Sequence, residues 1–419
     1  MTDIPPGAPT PHAPPAPAET VVYRGGVLVD GTGRPARPGT SVVVTGERIA
    51  EVGPDGSVSA AGARVVDLDG RFVLPGLIDT HQHVATPPDR ALAEATLRRD
   101  LRCGVTAVRI MADDLRQVAD LARAARVGEI AAPDLRYAAL TAGPSFFDDP
   151  RTAQVSQGET PGAVPWMQAI GAGTDLRLAV ALARGTHATA IKIYADLPGE
   201  TVAALTAEAH RQGLRVWAHA AVFPAAPAEV VRAGVDSVSH VTMLAYEEPS
   251  RPLTTYADKP DIDHARFLDG LPPAIEALLA DMRARGTVLD ATGSMWDPAS
   301  PAGELAAVLT AQAHRAGVEI STGTDSDPDP ERTHAPVLDE IAFLVERCGF
   351  TPLEAIRSAT LVGARAVGAE RDMGTVEPGK LANLLVLADD PLRDIHNLWT
   401  ANLVVKRGHA LPADRKDLG

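Results

Sequence analysis

Between residues 74 and 370 short apolar runs alternate with longer stretches whose apolar positions recur every three to four residues. The short runs predict strands over residues 77–83, 105–110, 135–141, 190–194, 214–219, 237–240, 288–291 and 318–322. The longer stretches predict helices over residues 90–102, 115–126, 175–184, 201–212, 227–233, 274–285, 305–316 and 336–347. Thr351-Pro352-Leu353-Glu354 opens one more helix, with a capping box and a proline at its first position. Eight strand–helix units in series predict an α/β fold, a (β/α)8 TIM barrel. A doubly wound open sheet is the alternative, but it would carry a Gly-rich phosphate turn after its first strand, and none is present.

The two ends have a different texture. From Val21 to about Val73 the apolar runs are short and cut by Gly25-Gly26, Asp30-Gly31 and Thr45-Gly46, which predicts strands joined by tight turns. The same texture returns after Gly374, in Leu384-Leu385-Val386-Leu387 and Leu403-Val404-Val405. Neither piece alone has strands enough for a stable sandwich. Residues 21–73 plus 374–412 are therefore expected to form one small β-sandwich domain from both termini, flanking a barrel over residues 74–373. Residues 1–20 hold seven prolines and read as a disordered Pro/Ala-rich tail without the charged and apolar regions of a secretory signal. Two connections are long, residues 142–173 and 241–270, and both follow C-terminal strand ends, where barrel active sites lie.

Composition narrows the partners. Acids outnumber bases 54 to 39, a formal charge of -15, which argues against a nucleic-acid or anionic-membrane surface. No apolar run approaches the roughly 20 residues of a membrane helix. Two cysteines fit a reducing compartment, so a cytoplasmic protein is expected, acting on a small molecule and assembling as a homo-oligomer. Five of the 39 basic residues are lysine: Lys192, Lys259, Lys380, Lys406 and Lys416. Four of these fall in loops, the C-terminal β segment or the tail, where a solvated lysine is expected. Lys192 falls in a predicted barrel strand.

Candidate chemistry gathers at strand ends. His81 and His83 share one face of the first predicted strand, so both imidazoles can reach one metal ion. His-x-His alone equally fits two hydrogen-bonded core histidines. His219 and His240 end the fifth and sixth predicted strands, and Asp325 follows the eighth. Four imidazoles and a carboxylate at one barrel mouth suit zinc. Lys192 sits level with them in the apolar run Ala190-Ile191-Lys192-Ile193-Tyr194. An ammonium is costly there and repelled by two divalent ions, whereas a lysine amine can lose its proton and add carbon dioxide, becoming a bridging carbamate. Arginine cannot.

This set resembles the metal-dependent amidohydrolase superfamily, in its binuclear prolidase-like and imidazolonepropionase-like branch. Leu74-Pro75-Gly76-Leu77-Ile78-Asp79-Thr80-His81-Gln82-His83 is similar to that family's entry motif. Gly374-Thr375-Val376-Glu377-Pro378-Gly379-Lys380-Leu381-Ala382-Asn383-Leu384 is similar to its return to the β domain. Thr141-Ala142-Gly143-Pro144-Ser145-Phe146-Phe147-Asp148-Asp149 departs from the Gly/His-rich stretch common among prolidase-like members. The resemblance implies two divalent ions, with His81, His83 and Asp325 on one, His219 and His240 on the other, and N6-carboxylated Lys192 between them. It implies cleavage of an amide or peptide C–N bond by a hydroxide bridging the ions, with Asp325 as acid/base. Dipeptides (Xaa-Pro dipeptides included), N-acyl amino acids and cyclic amides are the substrates it suggests. Deamination of a heterocycle is the alternative activity, and an inactive scaffold a third reading. On the substrate side Tyr194 could bind an oxyanion and Arg332 and His334 a carboxylate, with Tyr246 and Tyr137 as further candidates.

Overall fold

The computed structural model describes residues 19–268 and 270–412. The Pro/Ala-rich stretch lies, but for its last two residues, outside the described residues.

The central sheet is parallel and runs in the order Leu77–Gln82, Val105–Met111, Asp134–Ala142, Ala190–Ile193, Arg215–His219, Ser237–Ser239, Val288–Asp290 and Ile320–Ser321. The last strand returns to the first. Thr80 N–H donates to Thr322 O at 2.9 Å and His83 N–H to Ser326 O at 3.0 Å, which brings the sheet to a nearly closed eight-stranded barrel. Each of these strands is buried along almost its whole length, as expected where helices cover the outside and side chains fill the inside. Carboxylates and hydroxyls start several of the covering helices. Asp89 caps Arg90–Arg102, Asp114 caps Leu115–Arg126, Asp175 caps Leu176–Gly185 and Ser300 caps Pro301–Arg315. The capping box of Thr351 and Glu354 forms at Pro352–Arg357, whose helix continues through a wider π turn at Ser358–Val362.

Both termini contribute to a second, mixed sheet. Thr20–Leu28 lies at its centre, paired with Arg37–Thr45, Arg64–Asp67 and Phe72–Pro75. Phe72–Pro75 pairs antiparallel with Leu384–Leu387, which continues through Ala401–Lys406 to His409–Pro412. Its strands share one apolar cluster that includes Val21, Tyr23, Val42, Ile49, Leu384 and Val405. The chain passes from this sheet to the barrel at Gly76, where an added Cβ would lie 2.2 Å from the Thr106 side chain, so only glycine fits. One lysine departs from expectation here. Lys406 is buried, with Nζ 3.1 Å from Asp134 Oδ1 and 3.0 Å from Ala125 O, and Arg407 also pairs with Asp134. The alternation of a sheet strand turns Lys406 toward the barrel, where a buried carboxylate receives it.

The long connections are not featureless. Residues 142–173 contain a turn of 3-10 helix at Pro144–Asp148, the helix Pro150–Val155 and a small hairpin whose Met167–Ala169 pairs with the third barrel strand. Residues 241–270 contain 3-10 turns at Val241–Glu247 and His264–Phe267.

Candidate metal centre

Register sets His219, Ser239 and Asp290 at one level, with Lys192 two residues below them beside Trp217. Lys192 lies opposite Leu140 and Trp217 in the neighbouring strands, His219 opposite Ser239, and Ser239 opposite Asp290. His219, Ser239 and Asp290 each end their strands. His81 Nε2 and His83 Nε2 each lie 3.2 Å from Asp325 Oδ1, and His240 Nδ1 lies 3.8 Å from Asp325 Oδ2. Ring centroids run 5.7 Å from His83 to His81, 5.0 Å from His81 to His240 and 4.8 Å from His240 to His219. His240 (φ +71°) and Asp325 (φ +52°) adopt the left-handed conformation that L side chains rarely take, and such strain persists where surrounding structure imposes it.

The chemistry of these donors fits a metal. The ligating atoms of His81, His83 and Asp325 lie within 4.8 Å of one another. His219 Nδ1 is buried without a hydrogen-bond partner, which a neutral imidazole in a packed interior avoids. Lys192 is almost wholly buried, and among the described residues its Nζ finds only Ser239 Oγ at 3.5 Å. Burial, reinforced by the Arg109 guanidinium, pulls its ammonium down to about 7 against the pull of Asp290 and Asp325. Burial likewise lowers His240 to about 3 and His219 well below the usual imidazole value, so both are neutral donors. Burial opposes ionisation of Asp325, but the neighbouring His81 and the hydrogen bonds from His81 and His83 outweigh it and hold that carboxylate well below its usual range.

Beneath these donors lies a layer of orienting groups that the sequence did not announce. Asp290 Oδ2 accepts from His81 Nδ1 at 2.8 Å and from Ser239 Oγ at 2.9 Å, while Oδ1 accepts from Thr80 Oγ1 at 2.8 Å. The wholly buried Arg109 lies 2.9 Å from the same carboxylate and 4.8 Å from the Trp217 ring. With its oxygens committed in this way, Asp290 orients His81 rather than binding an ion itself. Asp113 does the same for His83, at 2.6 Å from Nδ1, while also accepting from the N–H groups of Val84 and Ala85. Thr292 Oγ1 lies 3.0 Å from His240 Nδ1. At Gly323 an added Cβ would fall 1.9 Å from Asp290 Oδ1 and 2.7 Å from His81 Cβ, so the tight approach of the last strand requires glycine. Asp290 carried a legible signal, since it ends a barrel strand like the other site residues. Asp113 and Thr292 follow strands in irregular segments and carried none.

The substrate-side candidates separate. Tyr194 packs on His219, centroids 4.0 Å apart, and lines a cavity shared with His83 and Asp325. Arg332 and His334 both engage Asp339, at 3.2 and 3.0 Å, and neither lines that cavity. Tyr246 packs against Phe223 and borders a separate small cavity. Tyr137 donates to Thr186 O at 3.3 Å, in the turn that precedes the fourth strand, toward the opposite end of the barrel. Sequence reading missed Arg151 in the same cavity and Tyr256, whose ring lies 5.6 Å from that of Tyr194. Both lie in the long connections.

A nearly closed parallel barrel with imidazoles and a carboxylate gathered at its C-terminal mouth defines a class of barrel hydrolases. Residues 72–411 match the family model of the Amidohydrolase family; the chain belongs to that family, whose members typically bind metals, and is a hydrolase of carbon–nitrogen bonds. An uncharacterised protein of Mycobacterium tuberculosis is 29% identical over 378 residues, covering 84% of this chain and 90% of that one. The imidazolonepropionase of Streptomyces coelicolor is 27% identical over 364 residues, covering 83% and 85%. Among solved structures, a Xaa-Pro dipeptidase with methionine bound in its active site superposes with a TM-score of 0.73 at 22% identity, covering 94% of this chain and all of that one. No helix among the described residues is long and apolar enough to cross a membrane.

Proposed function

We propose that this chain hydrolyses an amide or peptide bond of a small substrate at a centre of two divalent ions, zinc by the preference of the donors. His81, His83 and Asp325 would hold one ion, His219 and His240 the other, and N6-carboxylated Lys192 would join them. The observation that carries this is a fully buried lysine whose Nζ has only Ser239 Oγ at 3.5 Å among the described residues, placed among four imidazoles, one with an unpartnered ring nitrogen. Ions held there would supply Lewis acidity toward the scissile carbonyl and would lower the pKa of the attacking water.

The protein's own groups do the rest. Asp325 accepts the proton of the attacking water and delivers it to the leaving nitrogen. Asp290 and Asp113 hold His81 and His83 in one orientation and tautomer. Tyr194 stands beside His219, placed to hydrogen-bond the oxygen that gains charge. The names of the imidazolonepropionase and dipeptidase relatives support a C–N bond in a small substrate. Metal analysis of the purified protein should give two ions per chain, and Lys192→Arg should lose metal and activity together. Full activity in Lys192→Arg would sink the two-ion reading, and one ion per chain in the active enzyme would favour the heterocycle deaminase instead.

A further inference from the structure

A cavity of about 280 Å3 opens onto His83 and Asp325, with walls that include Leu140, Phe146, Met167 and Met295. This is the small end of the range for ligand sites and suits a substrate of amino-acid size. Among its described lining residues Arg151 is the single lysine or arginine. Asp149 caps the helix Pro150–Val155 by accepting from Arg151 N–H, and its carboxylate also takes Arg151 Nε at 3.0 Å and Nη2 at 2.7 Å. That double grip fixes the plane of the guanidinium. It leaves Nη1 without an acceptor among the described residues, on a side chain still 53% exposed. A helix cap needs Asp149 and only a backbone N–H at position 151, so the cap does not account for an arginine in the cavity wall.

Asp327 also lines the cavity, and it would favour an ammonium group. It is the less organised of the two, with no hydrogen bond among the described residues, whereas Arg151 is held in advance. Holding a group in its bound geometry before the ligand arrives removes part of the cost of binding. A planar guanidinium with one edge anchored and another free matches a carboxylate in geometry as well as charge.

We propose that Arg151 binds a carboxylate of the substrate, and that the amide hydrolysed is that of an N-acylated amino acid with an apolar side chain. This rests on the hydrolase reading above. Water adds across the C–N bond: the acyl group leaves as a carboxylate, and the nitrogen takes the proton and departs as the free amino acid.

The test uses the metal-loaded enzyme and the ketone isostere of N-acetyl-L-leucine, in which a methylene replaces the amide N–H and hydrolysis is impossible. Calorimetry compares this acid with its uncharged primary amide and with the matching amine that lacks a carboxylate. A charge-assisted hydrogen bond at Arg151 should favour the acid by about ten- to a hundredfold. That preference should collapse toward one in Arg151→Met and survive in part in Arg151→Lys. Equal binding of acid and amide, tighter binding of the amine, no binding of any of the three, or a preference that persists in Arg151→Met would each overturn the assignment. The hydrolase reading fails separately, if metal-loaded enzyme cleaves no amide in a broad panel.

Discussion

Asp290 gathers an imidazole, two hydroxyls and a buried guanidinium on one carboxylate. Burial works against its charge, yet Arg109 and His81 hold it below the usual carboxylate range. Two consequences separate cleanly. Asp290→Asn weakens the acceptor that orients His81, so metal affinity should fall about 10- to 100-fold by chelator competition. It also strands the Arg109 charge, so denaturant unfolding should show a loss of roughly 3–5 kcal/mol. An added Arg109→Met should recover stability without recovering metal affinity; recovery of both would show that Asp290 acts through folding alone. Residues of this kind mark the limit of reading a sequence. His81 and His83 were legible as a pair because period-two alternation puts them on one face, His219 and His240 because each ends a predicted strand, and Asp325 because it follows the eighth. Lys192 stood out because an apolar strand gives a cation no solvent. Arg332 and His334 were expected at a substrate carboxylate by proximity in sequence to Asp325. The structure sets them on Asp339, a partner seven and five residues further on that no periodicity singles out.

At the scale of elements, the barrel was legible nearly residue by residue, since helices such as Arg90–Arg102 and Leu115–Arg126 begin at acidic caps and keep strict apolar spacing. The long connections have no such period, and what they do is set by contacts across the mouth. Asp196 (φ +58°), just past the fourth strand, takes Ser145 Oγ on Oδ2 and Tyr256 N–H on Oδ1, both at 2.6 Å. One carboxylate thereby ties together the connections that follow the third and sixth strands. Phe146, Tyr194 and Tyr256 then pack edge to face or tilted above His219, with centroids 4.5–6.0 Å apart. Asp196→Asn keeps a residue tolerant of the left-handed backbone but replaces one acceptor with a donor. Amide exchange should quicken in residues 143–155 and 250–262 together, and KM should rise about tenfold with a smaller change in kcat. Faster exchange in one connection alone would show that the two are not coupled through this residue.

For the whole molecule, stability depends on charges buried between elements as well as on the apolar core. Lys406 and Arg407 meet Asp134 where the terminal sheet rests on the barrel, so this buried carboxylate has two cationic partners. Glu340 is different. Wholly buried in the helix Pro336–Cys348, it accepts from Gly293 N–H at 3.1 Å and Ser294 N–H at 2.7 Å, and no cation among the described residues pairs with it. Burial raises its carboxyl to about 7, although those two N–H donors favour the charged form. The folded protein therefore holds this proton more tightly than the unfolded chain, where an ordinary carboxyl releases it near 4.5. Below the unfolded value both states are protonated and the stabilising contribution is complete. It declines as pH rises from there, and is gone above about 7, where both states are ionised. The loss across that window is on the order of 3 kcal/mol. Glu340→Gln cannot titrate, so thermal unfolding of wild type and variant at pH 5 and pH 8 isolates the term. Wild type should lose stability relative to Glu340→Gln on going to pH 8; parallel behaviour at the two pH values would mean that the Gly293 and Ser294 donors suffice to keep Glu340 ionised throughout.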